Sequence, residues 1–402
     1  MTGKARNLRL DVLRGVAIVL VLCSHTVVWG DNAGWARHLA KGLQMGGWTG
    51  VDLFFVLSGF LIGGLLFKEI DRSGTLDVRR FLTRRAFKIW PAYFVFLAYA
   101  IGRSEHHAPT AWAGIRPLLP NLIHLQNYLG TSGPTPYAHT WSLAVEEHFY
   151  LALPILLLAL CRWHKVSWIP AATLVIGIAC LTMRLQNWGK PYEAITHYMP
   201  THLRADSLMF GVLLAYVYHL RPAALAFVPR VRLILVIVGV VLVAPMFSRW
   251  LNDPWAFTVG YTTTYLGMGC ILIACVDAEA GLLGRVLGGP VGRVLAFIGF
   301  YSYSIYLWHW AAREKVLQYL HSAEAHGAGA YFLMTAADIA IATAFGVISA
   351  KLVEQPFLAL RDRIFPSRTP AGPVQKTAGT PLPPQPEDSD ASDRLPVAME
   401  LG

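Results

Sequence analysis

Residues 10–30, LDVLRGVAIVLVLCSHTVVWG, are long and apolar enough to cross a bilayer, yet they hold an arginine, Arg14, and a histidine, His25. An ionisable side chain in hydrocarbon is costly and faces a bundle interior or a polar cavity when it is kept. Eleven residues of helix make about three turns, so the two side chains project from nearly the same face, roughly 16 Å apart along the axis. A chain with such a segment must fold so that this face meets protein. The face carries a fixed cation at one end and a titratable imidazole at the other. That placement suits an extended substrate, held by charge at one end and reacting at the other.

Apolar runs of spanning length recur along most of the 402 residues, 55% of which are hydrophobic and only 14% charged. The expected fold is all-α, a polytopic integral membrane protein of about ten transmembrane helices. The spans are placed near residues 10–29, 48–67, 86–103, 143–161, 167–185, 203–220, 232–248, 257–276, 294–312 and 331–353. The first run is expected to stay as a helix, because it is too long for a cleaved signal peptide and has no small-residue cleavage site.

Basic residues alternate between the turns. Lys4, Arg6 and Arg9, the group from Lys68 to Lys88, then Arg162 with Lys165, Arg221 with Arg230 and Arg232, Arg285 with Arg293, and Arg361 with Arg363 fall on one side. By the positive-inside rule that side is cytoplasmic, and both termini are expected there. The net charge of +10 mostly reflects this topology, so it does not point to nucleic acid. Residues 1–365 are expected to form one membrane domain. Residues 366–402, rich in Pro, Thr, Ser, Asp and Ala, read as a disordered cytoplasmic tail. Five cysteines, Cys23, Cys161, Cys180, Cys270 and Cys275, lie in or beside apolar spans without metal-ligand spacing, and no metal site is expected. The longest outward loop, about residues 104–142, carries His106, His107, His124 and His139 and is long enough for a lid.

Threading the spans alternately sorts the polar groups into two layers. The outer layer holds His25, Asp52, Ser58, Ser142, Glu146, Glu147, Arg204, Asp206 and His309. The inner one holds Arg14 and the cluster Arg84, Arg85 and Lys88. Polar groups avoid lipid, so the outer set is expected to line one shared cavity. The chemistry that fits is acyl transfer, in which a hydroxyl loses its proton while attacking a carbonyl. A histidine held by a carboxylate is the usual base, and His25 with Glu146, Glu147 or Asp52 would supply the pair. The inner cations suit a nucleotide phosphate. Coenzyme A joins anionic phosphates to a reactive thioester through an arm comparable in length to the distance from Arg14 to His25.

The stretches LDVLRGVAIVLVLCSH, GVDLFFVLSGFLI, FLTRRAFKIWPAYF, HTWSLAVEEHFYL, YSYSIYLWH and VEQPF follow in this order. The set resembles acyltransferase family 3, the bacterial membrane-bound acyl-CoA-dependent O-acyltransferases. The resemblance covers nearly the whole chain except the tail. It implies a multi-pass protein of the bacterial inner membrane, with acyl-CoA, most commonly acetyl-CoA, as cytoplasmic donor. The implied acceptor is a hydroxyl on a surface or secreted carbohydrate-containing molecule, a polysaccharide, lipo-oligosaccharide, peptidoglycan or macrolide. The family's arginine and histidine fall on Arg14 and His25. Its arginine-x-x-arginine motif falls on Arg85 and Lys88, where lysine keeps the charge but loses the bidentate fork. Its tryptophan–serine–leucine segment with a following glutamate falls on Trp141, Ser142 and Glu146. Some members carry a fused esterase-like domain; none is expected here, so transfer would finish in the membrane domain or with a separate partner.

Plainer roles exist for most of these residues. Arg14 can snorkel to the interface, and Arg84, Arg85 and Lys88 can serve topology alone. Asp52 can be hydrated, Ser58 can ease helix packing beside Gly59, and His309 can anchor an aromatic belt with Tyr306, Trp308 and Trp310. Glu354 reads as structural. The reading is an O-acyltransferase with catalytic candidates His25, Glu146, Asp52, Ser142 and His309. Its donor-binding candidates are Arg14, Arg85, Lys88 and Arg84. His25 is either the general base or a transient acyl carrier. The competing reading is a transporter or flippase of a glycan or lipid-linked sugar, which also uses intramembrane charge but needs no thioester.

Overall fold

The computed structural model describes residues 7–25, 35–107, 110, 115–130, 137–320 and 328–366. The expected tail, from residue 367 on, lies outside the described residues. Every regular element among the described residues is helical. The longer helices are α1 (Leu8–His25), α2 (Trp35–Gly46), α3 (Gly50–Ser73), α4 (Val78–His107), α5 (Trp141–Arg162), α6 (Ile169–Leu185) and α7 (Ala205–Leu220). They continue with α8 (Val228–Val243), α9 (Tyr261–Cys275), α10 (Gly281–Gly288), α11 (Pro290–Phe300), α12 (Ser302–Leu320), α13 (Ala328–Ser349) and α14 (Gln355–Ile364).

Six helical stretches among the described residues are long and apolar enough to cross a membrane: Trp35–Ser73, Ala138–Arg162, Val166–Leu185, Val228–Ser248, Ala256–Cys275 and Tyr331–Ile364. The pair α10–α11, bent by 61°, makes a seventh if taken as one span. The remaining stretches read as spans from sequence are mostly helical where they are described but differ in kind; residues 26–29 of the first lie outside the described residues. The helix α7 has only 16 residues, while α1 carries Arg9, Asp11 and Arg14 and α4 opens on a basic run. One expected span, 294–312, is not a single helix. At Tyr301 the backbone turns to φ −95° and ψ 8°, which ends α11, and α12 starts at Ser302.

Close helix crossings position the site. The helices α3 and α7 pack along each other through Gly59 and Gly211, where a Cβ on either would collide with the partner's backbone at Leu208 or Val56. The helices α1 and α11 meet the same way through Gly15 and Gly299, whose Cβ atoms would run into Leu295 and Asp11. Small residues that let backbones approach are the usual device where apolar area alone cannot drive helices together. Of the expected loop, residues 115–130 form short helical turns. Buried Gln126 and Asn127 tie them to Thr140 and Thr201, at 2.9 Å each.

Candidate active site

A cavity of about 140 Å³ opens between α1, α3, α4, α5 and α12. Three cations line it: Arg14 from α1, and Arg85 and Lys88 from the head of α4. Two carboxylates, Glu146 and Glu354, face them. Residues 142, 146 and 150 of α5 recur every four positions, so one stripe of that helix supplies Ser142, Glu146 and Tyr150 to the wall.

The polar groups here are wired to one another. Tyr150 donates its hydroxyl proton to Glu146 Oε2 at 2.9 Å, which makes Ser58 the donor in its 2.6 Å bond with the Tyr150 oxygen. Ser304 donates to Glu354 Oε2 at 2.9 Å. The Arg85 guanidinium lies between the rings of Phe81 and Tyr150, at 5.7 and 5.9 Å from their centroids. Arg14 pairs with Asp11 one turn back on its own helix at 3.4 Å.

A second cluster gathers three imidazoles. His25, the last residue of α1, stacks on His309 of α12 with ring centroids 5.2 Å apart. His139, from the 3-10 turn before α5, meets His309 edge-on at 4.6 Å. Trp310 covers His25 at 4.9 Å, and the Arg313 guanidinium lies 5.5 Å from the Trp310 ring. Residues 306, 309, 310 and 313 share one face of α12, the spacing of helical neighbours.

The two groups are joined through Tyr306, which lines the cavity. Its hydroxyl donates to His139 O at 2.8 Å, so in the 2.7 Å contact with Ser142 the serine donates. The chain Ser142–Tyr306–His139 therefore runs from the cavity wall to the imidazole cluster.

The expectation of one shared outer cavity is corrected here. Ser58, Ser142 and Glu146 line the same cavity as Arg14, Arg85 and Lys88, whereas His25 and His309 pack in the imidazole cluster. The expected His25–carboxylate pair is not formed either. Glu146 is bound by Tyr150 on its own helix. Glu147 points the other way, accepting from Trp90 Nε1 at 3.3 Å. Asp52, fully buried, accepts from the buried Arg204 at 2.6 Å, and Arg204 lies 4.0 Å over the Tyr261 ring. Asp206 is taken by Arg184 at 2.7 Å. Arg84, expected at the donor site, bonds instead to Asp362 at 3.1 Å and to Phe365 O, outside the cavity. Depth along a helix, which the sequence gives, does not fix the direction in which a side chain points around it.

His139, Tyr150 and Tyr306 are site residues that the sequence reading passed over. The signal for Tyr306 was available, since Tyr306, His309, Trp310 and Arg313 fall at i, i+3, i+4 and i+7. Among the described residues, no group of three or more His, Cys, Asp or Glu is arranged to hold a metal ion.

Comparison with known proteins places the chain. A family model described as an acyltransferase domain matches residues 7–350. The peptidoglycan O-acetyltransferase OatA of Listeria monocytogenes is 28% identical over 318 residues, 75% of this chain and 48% of its own length. The O-acetyltransferase OatA of Staphylococcus aureus strain NCTC 8325 is 27% identical over 318 residues, 75% of this chain and 49% of its own. A relative from Staphylococcus aureus strain COL is 28% identical over 376 residues, 87% of this chain and 56% of its own. The chain thus spans about half the length of the curated relatives it matches. No solved structure matches it.

Proposed function

As the chain belongs to the acyltransferase family whose model covers residues 7–350, we propose that this multi-pass membrane O-acyltransferase moves an acetyl group from acetyl-CoA to a carbohydrate hydroxyl. The donor approaches from the cytoplasm and the acceptor from the far side of the bacterial inner membrane. The observation that carries this reading is the pairing of a tri-cationic cavity with an imidazole cluster through Ser142 and Tyr306.

Arg14, Arg85 and Lys88 hold the phosphates of the donor, since fixed cations at a water-poor surface are suited to polyanions. Glu146 and Glu354 offset two of the three positive charges when the donor is absent. The thioester arm then runs along α1 toward the imidazoles. His25 takes the proton of the acceptor hydroxyl as its oxygen bonds to the thioester carbonyl carbon. The carbon–sulfur bond breaks, and coenzyme A leaves as a thiolate that recovers the proton from the imidazolium. The carbohydrate class draws support from the Listeria relative, which is named for peptidoglycan.

The test is release of coenzyme A thiol from acetyl-CoA by the purified full chain, with chitotriose as acceptor and His25→Ala beside it. Acceptor-dependent release that disappears in the variant is the expected result. Intact thioester in every reaction, or full release by His25→Ala, overturns the reading; the first result is also what a transporter gives.

A further inference from the structure

The imidazole cluster has an unbalanced hydrogen-bond inventory. A backbone carbonyl can only accept, so a ring nitrogen bonded to one must carry the proton. His139 Nε2 meets Leu307 O at 3.2 Å, and His309 Nδ1 meets Tyr306 O at 2.6 Å. With those protons fixed, neutral His139 presents a bare lone pair at Nδ1 and neutral His309 one at Nε2. Both atoms are buried and without a hydrogen-bond partner, and so is the Trp310 Nε1–H donor. His139 is 6% exposed and His309 1%. An unpaired buried polar atom costs on the order of 1–3 kcal/mol, so three around one base demand an explanation.

Two acceptors and one donor do not match a phosphate or a carboxylate, which offer only acceptors. They match hydroxyl groups, each of which gives one hydrogen bond and takes others. Resting on the acyl-transfer reading above, we propose that His139, His309 and Trp310 form the acceptor-hydroxyl subsite. In it His139 Nδ1 receives a hydrogen bond from a neutral polyhydroxylated acceptor beside the hydroxyl that His25 activates. His139 here is a binding residue: it orients the acceptor and does not exchange the acyl group. One ring separates this side chain from the reacting base: His139 meets His309 edge-on, and His309 stacks on His25.

The two amide replacements of His139 separate this role from a structural one. Glutamine places its nitrogen near the former Nε2 and keeps the tether to Leu307 O, but has nothing at Nδ1. Asparagine places an oxygen near the former Nδ1 and loses the tether. Binding of chitotriose to the full chain in detergent, measured by calorimetry, is the primary readout. The expected order is wild type and H139N within about threefold of one another and H139Q weaker by about tenfold or more, which is 1.4 kcal/mol. W310F, which removes the Nε1–H together with the second ring of the indole while keeping an aromatic face toward His25, also binds more weakly and stands in if H139Q does not fold. No chitotriose binding by wild type, binding by H139Q or W310F at the wild-type level, or H139N weaker than H139Q overturns the proposal. Coenzyme A release from acetyl-CoA is read in the same samples. Absence of release with the binding order intact sinks the acyl-transfer reading and leaves the subsite standing; release with the order reversed does the opposite.

Discussion

His25 lies almost flat against His309, their planes 17° from parallel and their ring centroids 5.2 Å apart. The base proposed for acyl transfer is therefore oriented by two aromatic neighbours, His309 and Trp310, and not by a carboxylate. A ring held by stacking keeps its nitrogens available to a substrate.

His25→Ala removes the base and one stacking partner. The expected loss of coenzyme A release is a hundredfold or more, in line with the roughly 10²–10⁴ carried by general-base catalysis. The expected loss of stability is modest, on the order of 0.5–1.5 kcal/mol for each of its two ring pairs. Parallel thermal unfolding and turnover of wild type and variant check this. A variant that unfolds at low temperature would assign His25 to packing.

Asp52 carries the opposite expectation. It is fully buried against Arg204, and removing one partner leaves the other charge uncompensated, which costs about 3–5 kcal/mol. Asp52→Ala and Arg204→Ala should each collapse folded yield, and the yield of the double variant should exceed that of either single one. Size-exclusion profiles of the detergent-solubilised proteins decide it. Stable but inactive Asp52→Ala protein would return Asp52 to the catalytic group.

Arg85 and Lys88 address the donor. Arg85→Ala should raise the KM for acetyl-CoA tenfold or more, about 1.4 kcal/mol, while chitotriose binding changes less than threefold. Lys88→Arg, which restores the fork that lysine lacks, should leave the KM within threefold of wild type. Initial-rate kinetics with each substrate varied in turn give both numbers. A KM change confined to the acceptor would exclude the cavity as donor site.

The sequence carried the helical stretches, because apolar length is a one-dimensional property. It did not carry azimuth or long-range pairing. Asp52 and Arg204 are 152 positions apart and found each other only through the packing of α3 on α7. Glu146 was read as a partner of His25 because both fell in one layer, yet it faces Tyr150 and the cations. His139 was counted among loop residues, whereas the 3-10 turn before α5 carries its ring into the bundle interior. The break at Tyr301 was hidden in a continuous apolar run.

The crossing of α1 and α11 links packing to the donor site. Gly299 sits where its Cβ would overlap Asp11 O, and Asp11 is the ion-pair partner of Arg14. Gly299 also lines the cavity. Gly299→Ala must therefore push α11 off α1, at the 1–3 kcal/mol or so of an overpacked core, and shift the turn of α1 that aims Arg14. Gly102, inside α4, has open space around its Cβ position. Gly102→Ala should be neutral or slightly stabilising, because alanine is the better helix former by about 1 kcal/mol. The expected pattern is a lowered unfolding temperature and a raised acetyl-CoA KM for Gly299→Ala, with neither change for Gly102→Ala. Equal behaviour of the two variants would mean that the α1–α11 contact yields freely and that Arg14 is positioned by something other than this crossing.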